Sequence, residues 1–505
     1  MRSLGSLSSG LFCLDVRWSI GEGIMKRITM IEPGAPGYHV FTKVLLPRLG
    51  LPILGAMLKS RGYEVRIFCQ DISEIDYSYA FGSDMVMISM LTCTAPLAYG
   101  IGDRFRSRGI PVVIGGPHAT YMPDEALEHA DFVMRGESEG TLYEFMEAWE
   151  KGASMESVLG LSYWEGAAVR HNANLPLMAD LDALPFPDLT LIEGHEKMRM
   201  MPVQTSRGCP FNCTFCSVTN MWGRRYRTRS VQNVLDEIEH VGSRGLFFYD
   251  DNFTANKARA KDLLREMLNN GITPEWMAQT RVDVVEDREL LELMKATNCY
   301  TLYIGFESIN PKTLAAYNKK QTVGDIKESI ELLHQYGVKV HGMFVLGADE
   351  DDTETITETA QFAKTMRIDT VQFMILTPLP GTKTYQMLEE EDRIFTKDWS
   401  LYDGHHVVFE PKKMTPFELQ TRTFKAMKKF YSQWKSLGYL ITFRFLKMLY
   451  HFYARQLISQ WESANRDFLN ALEEVWKKHR PGVPIRFNFD NRSKSMADLR
   501  PPLEE

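Results

Sequence analysis

Short apolar or β-branched runs alternate with longer segments of helical period along most of the chain. Between Met25 and Glu150 the runs "RITMIEP", "EVRIFCQ", "MVMISML" and "PVVIGGP" each end on glycine, proline or a polar residue. Between them lie "LGLPILGAMLKSRG" and "APLAYGIGDRFRSRG", each closing on a glycine that suits a helix C-terminus. This alternation predicts a parallel sheet covered by helices on both faces, a Rossmann-like domain over 25–150. The Pro-rich, acidic stretch "LPLMADLDALPFPDL" reads as part of a linker over 151–200.

The alternation restarts near Met201 and runs to Phe395. Strands are predicted at "PVQTS", "GLFFYDD", "WMAQTRVD", "YTLYIGFES", "KVHGMFVLG" and "TVQFMILTP". Helical segments follow them, such as "SVQNVLDEIEHVGSRG" with Ser230 as N-cap. These β/α units make a partial (β/α)6 barrel over 201–395, whose active site lies at the C-terminal strand ends. Residues 396–480 turn helical, aromatic and basic, and 481–505 form a polar tail. The weak apolar stretch in 1–24 is broken by Ser and Gly and followed by Asp15 and Arg17, so it reads as a disordered extension or an overlong start. No stretch is long and charge-free enough to span a membrane. The fold class is therefore α/β with a C-terminal helical region.

Composition narrows the function. A chain of 505 residues with 44% apolar content is a soluble globular protein of two or three domains, and a net charge of −7 gives no reason to expect nucleic acid. Cys13, Cys69, Cys93 and Cys299 are isolated in mostly apolar surroundings, as reduced thiols of the cytoplasm are. In such a compartment a tight cysteine cluster points to metal rather than to a disulfide. Cys209, Cys213 and Cys216 form that cluster, spaced CxxxCxxC. A zinc site draws on four ligands, and no second cysteine pair or nearby histidine completes one. Three thiolates suit three irons of a 4Fe–4S cluster, leaving the fourth iron open to bind a cofactor and pass it one electron.

CxxxCxxC with an aromatic at Phe215, directly after the first of six β/α units, resembles the radical S-adenosylmethionine (radical SAM) superfamily. The resemblance implies that the open iron chelates the amino and carboxylate groups of SAM. One electron then cleaves SAM to methionine and a 5′-deoxyadenosyl radical. It places Asp250 and Asp251 of "FFYDDNFT" near the SAM ammonium, as a carboxylate partner would be. Arg281 of "QTRVD" would grip the methionine carboxylate, or else simply pair with Asp283 or Asp287. Glu307 and Ser308 of "YIGFES" would bind the ribose diol, and Gly347, Leu376 and Pro378 would cradle adenine. In "GRRYRTRS", Arg224, Arg225, Arg227 and Arg229 either hold an anionic group or form a solvated loop.

The first region resembles the cobalamin-binding domains fused to radical SAM domains, through "MISML", "TCTAP", "PVVIGGPHATYMPDEAL" and "ADFVMRGESEG". The resemblance puts Ser89 against the dimethylbenzimidazole tail. Gly115 and Gly116 would let that tail run close to the backbone. The DxHxxG loop of cobalamin methyltransferases is missing, and His39 stands at the wrong spacing, which implies cobalt without a lower histidine. The leading expectation is cobalamin-dependent methyl transfer to an unactivated carbon. The alternatives are a radical SAM oxidoreductase, cyclase or bond-forming enzyme that transfers no methyl group, and more distantly a non-catalytic iron–sulfur protein. Expected partners are a small, lipidic or hydrophobic substrate and a one-electron reductant such as flavodoxin or ferredoxin. Peripheral membrane contact is a further expectation from the helix predicted over 438–460. There Arg444, Lys447, His451 and Arg455 share one face, while Ile441, Phe445, Leu449 and Phe452 line much of the rest. The plainer alternative packs that apolar side on the barrel and points the charges to water.

Overall fold

The computed structural model describes residues 25–35, 37, 45–242, 244–432, 445–478 and 487. The expectations for 1–24, for His39 and for most of the tail lie outside the described residues. The first sheet contains β1 (Arg27–Glu32), β2 (Glu64–Cys69), β3 (Met85–Ser89), β4 (Val112–Gly115), β5 (Phe132–Met134), β6 (Leu161–Glu165) and β7 (Ala168–His171), in the order β2-β1-β3-β4-β5-β6-β7. β1 to β5 pair in parallel, and their β-branched and methionine side chains are almost fully buried, as a sheet covered on both faces requires.

The expected linker over 151–200 is corrected by the hairpin β6–β7, which joins this sheet antiparallel to β5. Leu161, Ser162 and Tyr163 are buried there, so the first domain extends to about His171. After β8 (Met200–Val203) comes a two-stranded ribbon of β9 (Ser206–Arg207) and β10 (Arg227–Thr228). β11 (Gly245–Phe248), β12 (Trp276–Thr280), β13 (Cys299–Glu307), β14 (Lys339–Leu346) and β15 (Thr370–Ile375) follow. The six barrel strands run in parallel in the order β15-β14-β13-β12-β11-β8. Among the described residues β8 and β15 do not pair, which leaves the barrel open. Ser230 caps the helix Val231–Val241 by accepting the Asn233 N–H at 3.2 Å.

The C-terminal region closes on both domains. The helix Pro416–Phe430 is capped reciprocally by Thr415 and Glu418, and Tyr431 just beyond it bonds both backbone groups of Val371 on β15. Trp399 donates to Glu125 of the first domain at 2.7 Å. The helix Phe445–Ala464 departs from the basic face expected of it. His451 is buried against Phe430 and Tyr431, while Leu449 and Phe452 are exposed. Ile441, Phe443 and Arg444 lie outside the described residues. No described helix is long and apolar enough to cross a membrane.

Candidate active site

The C-terminal ends of β3 and β4 face the C-terminal ends of the barrel strands across a cavity of about 310 Å³. Ser89, Gly115 and Gly116 line it on one side, and Gln204, Tyr249, Asp251 and Gln279 on the other. This is where an open α/β sheet and a β/α barrel each place their ligands.

The cysteine loop runs from β9 to the helix Val218–Trp222. Gly208 opens it at φ +88°, and a Cβ there would fall 2.6 Å from the Arg225 carbonyl and 2.9 Å from that of Gly223. Only glycine fits. The loop is tied down by Thr214 N–H on the Tyr317 carbonyl at 3.3 Å and Thr384 N–H on the Thr214 carbonyl at 3.1 Å. The Phe215 ring packs on Tyr317, and the Arg281 guanidinium lies 3.7 Å over the Phe211 ring. Cys209, Cys213 and Cys216 are free, half-buried thiols. Burial pushes all three up, Cys216 to about 12, which favours the neutral thiol over the thiolate in the absence of metal. Among the described residues no three His, Cys, Asp or Glu side chains converge on one ion. Thiols set apart on one loop fit a cluster, which takes one per iron.

The two aspartates after β11 part company. Asp250 is fully buried and accepts from Thr205 N–H and Oγ, both at 3.0 Å, and from Ser206 Oγ. It fastens β11 to the start of the cluster loop and corrects the expectation that both acids face SAM. Asp251 lines the cavity and keeps accessible area there. It has no hydrogen bond among the described residues. Burial, helped by Asp250, pushes its carboxyl up to about 7.

Arg281 sits at the end of β12, with Asp283 only at 3.9 Å and its Nη2 donating to the Lys319 carbonyl at 2.6 Å. Glu307 receives Lys319 Nζ at 2.7 Å. Ser308 Oγ accepts the Asn310 N–H at 3.0 Å in the turn after β13. Gly347 takes φ +101° and abuts Leu419, 2.5 Å from where a Cβ would stand, so helix packing explains it. Leu376 and Pro378 are buried at the end of β15.

On the first domain's wall, Gly116 (φ +99°) lies so close to Met90 that a Cβ would fall 2.5 Å from its carbonyl. Its own fold requires that glycine, whatever passes over it. Gly115 is different, since a Cβ there would meet only the Met134 carbonyl, at 3.4 Å. Arg48, which sequence reasoning missed, donates to the Ser89 carbonyl at 3.5 Å and pairs with buried Glu32 at 3.6 Å.

The arginine run is divided between surface and interface. Arg224 and Arg225 are exposed. Arg229 pairs with buried Glu237. Arg227 grips Glu137 through both terminal nitrogens, at 2.8 and 2.7 Å. Arg207, two residues before Cys209, reaches Glu139 at 2.6 Å and Glu137 at 3.4 Å. Burial pushes the Glu137 carboxyl up, but Arg227 and Arg207 outweigh it and hold the group below the ordinary range. The "RGESEG" segment thus binds the two domains together, a role its sequence did not announce.

Residues 203–394 match the radical SAM superfamily and residues 42–146 match the B12-binding domain. An uncharacterized methyltransferase of Pyrococcus horikoshii is 31% identical over 433 residues, covering 82% of this chain and 94% of that protein. The chain belongs to the B12-binding radical SAM family. The bacteriochlorophyllide d C-12(1)-methyltransferase of Chlorobaculum tepidum is 30% identical, over 75% of this chain and 81% of that one. The anaerobic magnesium-protoporphyrin IX monomethyl ester cyclase of Cereibacter sphaeroides is 31% identical, over 65% of this chain and 57% of that one. The solved radical SAM methyltransferase TsrM from Kitasatospora setae, with cobalamin and a [4Fe-4S] cluster bound, shares the fold. It superposes with a TM-score of 0.63 at 18% identity, covering 73% of this chain and 78% of that one. As a B12-binding radical SAM enzyme, the chain works with a 4Fe–4S cluster, SAM and cobalamin. The site suits them: three free thiols on one loop, an unpartnered carboxylate facing a cavity, and a glycine wall opposite.

Proposed function

We propose that this enzyme transfers a methyl group to a carbon of a small hydrophobic substrate held in the shared cavity. The observation that carries the reading is that Ser89, Gly115 and Gly116 line the same cavity as Asp251. A cobalamin on the first wall and SAM on the second would therefore face one substrate. When bound, the cluster supplies SAM with one electron and cobalamin supplies the methyl group. Cys209, Cys213 and Cys216 each take one iron, and Phe215 packs the loop from behind. Asp251 accepts the SAM ammonium, Arg281 the methionine carboxylate and Glu307 the ribose diol, while Leu376 and Pro378 border adenine. Leu49, Ile53, Met87 and Met221 give the cavity an apolar lining that excludes water from a radical. Relatives named for bacteriochlorophyllide d and for magnesium-protoporphyrin IX monomethyl ester support a hydrophobic substrate. A one-electron reductant such as flavodoxin and a cytoplasmic setting complete the reading.

The test compares metabolites of a deletion strain with its parent by mass spectrometry, alongside reconstituted protein given reductant, SAM and cobalamin. The expected result is a compound lacking one methyl group in the deletion strain. Reconstituted protein should form both 5′-deoxyadenosine and S-adenosylhomocysteine. SAM cleavage without cobalamin uptake would instead favour a radical reaction without methyl transfer.

A further inference from the structure

The end of β13 carries more strain than binding a ribose requires. β13 and β14 slip register between Gly305 and Glu307, and Glu307 takes φ +61°. A non-glycine residue in that region is costly and persists where the surroundings over-determine it. Gly305 beside it leaves room for the pair, since a Cβ there would press on Glu307 Oε1 and stand 2.8 Å from Lys319 Nζ. The space a side chain would fill is occupied by the ion pair of Lys319 with Glu307, both nearly fully buried.

Lys319 is itself presented by a forced turn. Its neighbours Asn318 and Lys320 have φ +53° and +52°. Gln321 Nε2 ties the turn back to the Phe306 carbonyl at 2.9 Å. The same turn is bonded to the cysteine loop by Thr214 N–H on the Tyr317 carbonyl at 3.3 Å and by Asn318 Nδ2 on the Asn212 carbonyl at 3.0 Å. The turn that carries Lys319 is thereby fastened to the residues on either side of Cys213. A buried ion pair is weak grounds for stability, so this arrangement asks for another reason.

We infer that Lys319 is a positioning residue, locking the Glu307 carboxylate toward its ligand and offsetting negative charge at the Cys213 corner of the cluster. The inference rests on the proposed roles of Cys213 and Glu307. Charge near an iron–sulfur cluster sets its potential, so the two members of the pair should move it in opposite directions.

The test is an EPR-monitored redox titration of the cluster, with SAM binding measured at equilibrium, on reconstituted wild type, Lys319→Met, Lys319→Arg and Glu307→Gln. Lys319→Met should lower the midpoint, so that at fixed applied potential the reduced-to-oxidised ratio falls about tenfold, or 59 mV for one electron. It should also weaken SAM binding about tenfold or more, by freeing Glu307. Lys319→Arg should restore the midpoint, and Glu307→Gln should raise it. A wild-type midpoint and SAM affinity in Lys319→Met would overturn the inference, as would shifts of the same sign in Lys319→Met and Glu307→Gln. Should Lys319→Met assemble no cluster, Glu307→Gln decides, and an unchanged or lowered midpoint overturns it. Wild-type protein that takes up no cluster would sink the proposed function first, and this inference with it.

Discussion

The wall that the first domain gives the cavity is shaped by what its residues lack, whereas the barrel's wall is shaped by the charges it carries. On the first side stand backbone, apolar side chains and two adjacent glycines; Arg48 pairs with Glu32 within that domain, and Glu139 at the edge pairs with Arg207 of the barrel. On the barrel side Asp251, unpartnered among the described residues, lines the cavity, and the cysteine loop and the strained Glu307 with its lysine belong to the neighbouring strand ends. A large neutral tail needs room, and a small cation needs a counter-charge. Added volume should therefore harm the first wall most, and isosteric loss of charge the second.

The largest effect expected is at the thiols. Cys213→Ala should abolish the broad visible absorbance of reconstituted protein and all 5′-deoxyadenosine formation. Retained iron and activity would remove the cysteine loop from the chemistry. Next is Gly115→Leu, which has space against its own protein but fills the cavity. Cobalamin uptake should vanish while the cluster spectrum stays unchanged, and normal uptake would move the cofactor elsewhere. Gly116→Ala is a poor substitute, because its clash with the Met90 backbone and its positive φ should unfold the strand end at a cost of at least about 1–2 kcal/mol.

The aspartate pair sharpens the contrast within the barrel wall. Asp251→Asn should weaken SAM binding by about 1.5–3 kcal/mol, roughly 10- to 150-fold, with little change in melting temperature. Asp250→Asn should do the reverse, destabilising the fold by about 1–3 kcal/mol through the donors of Thr205 and Ser206. Equal SAM affinities in the two variants would erase the distinction. The smallest effect is that of pH. With its carboxyl near 7, Asp251 is protonated below neutrality and must lose that proton to meet an ammonium. SAM affinity should fall by up to about tenfold for each pH unit below 7 and level off above it. Titration calorimetry in buffers of different ionisation enthalpy would reveal the proton released, and a flat profile would show that Asp251 meets no cation.

Much of this was legible because the signals are local. Six apolar runs gave the barrel strands, and the spacing of Cys209, Cys213 and Cys216 gave the loop. Ser230 as a cap needed only its neighbours. What sequence concealed depends on register or on distant pairing. Asp250 and Asp251 are adjacent and chemically identical, and only the path of the chain just past β11 sends one inward to Thr205 and the other to the cavity. Glu137 and Arg227 are 90 residues apart, and nothing in either segment names the other. Lys319 sits in a polar turn, "NKKQT", whose inward lysine is chosen by two left-handed neighbours. The hairpin at 161–171 hid because its partner β5 lies across a helix in the chain, and His451 shared a basic period with residues outside the described helix face.

The grip of Arg207 and Arg227 on Glu137 and Glu139 sets the gauge of the cavity. Removing one partner from such a buried pair costs about 3–5 kcal/mol, so the two domains are expected to stay joined at that edge whether or not the site is loaded. A substrate should then be selected by whether its thickness fits the gap between the two walls. The radius of gyration in solution scattering should be the same with and without SAM and cobalamin, and a contraction on loading would mean the gap adjusts to its guest.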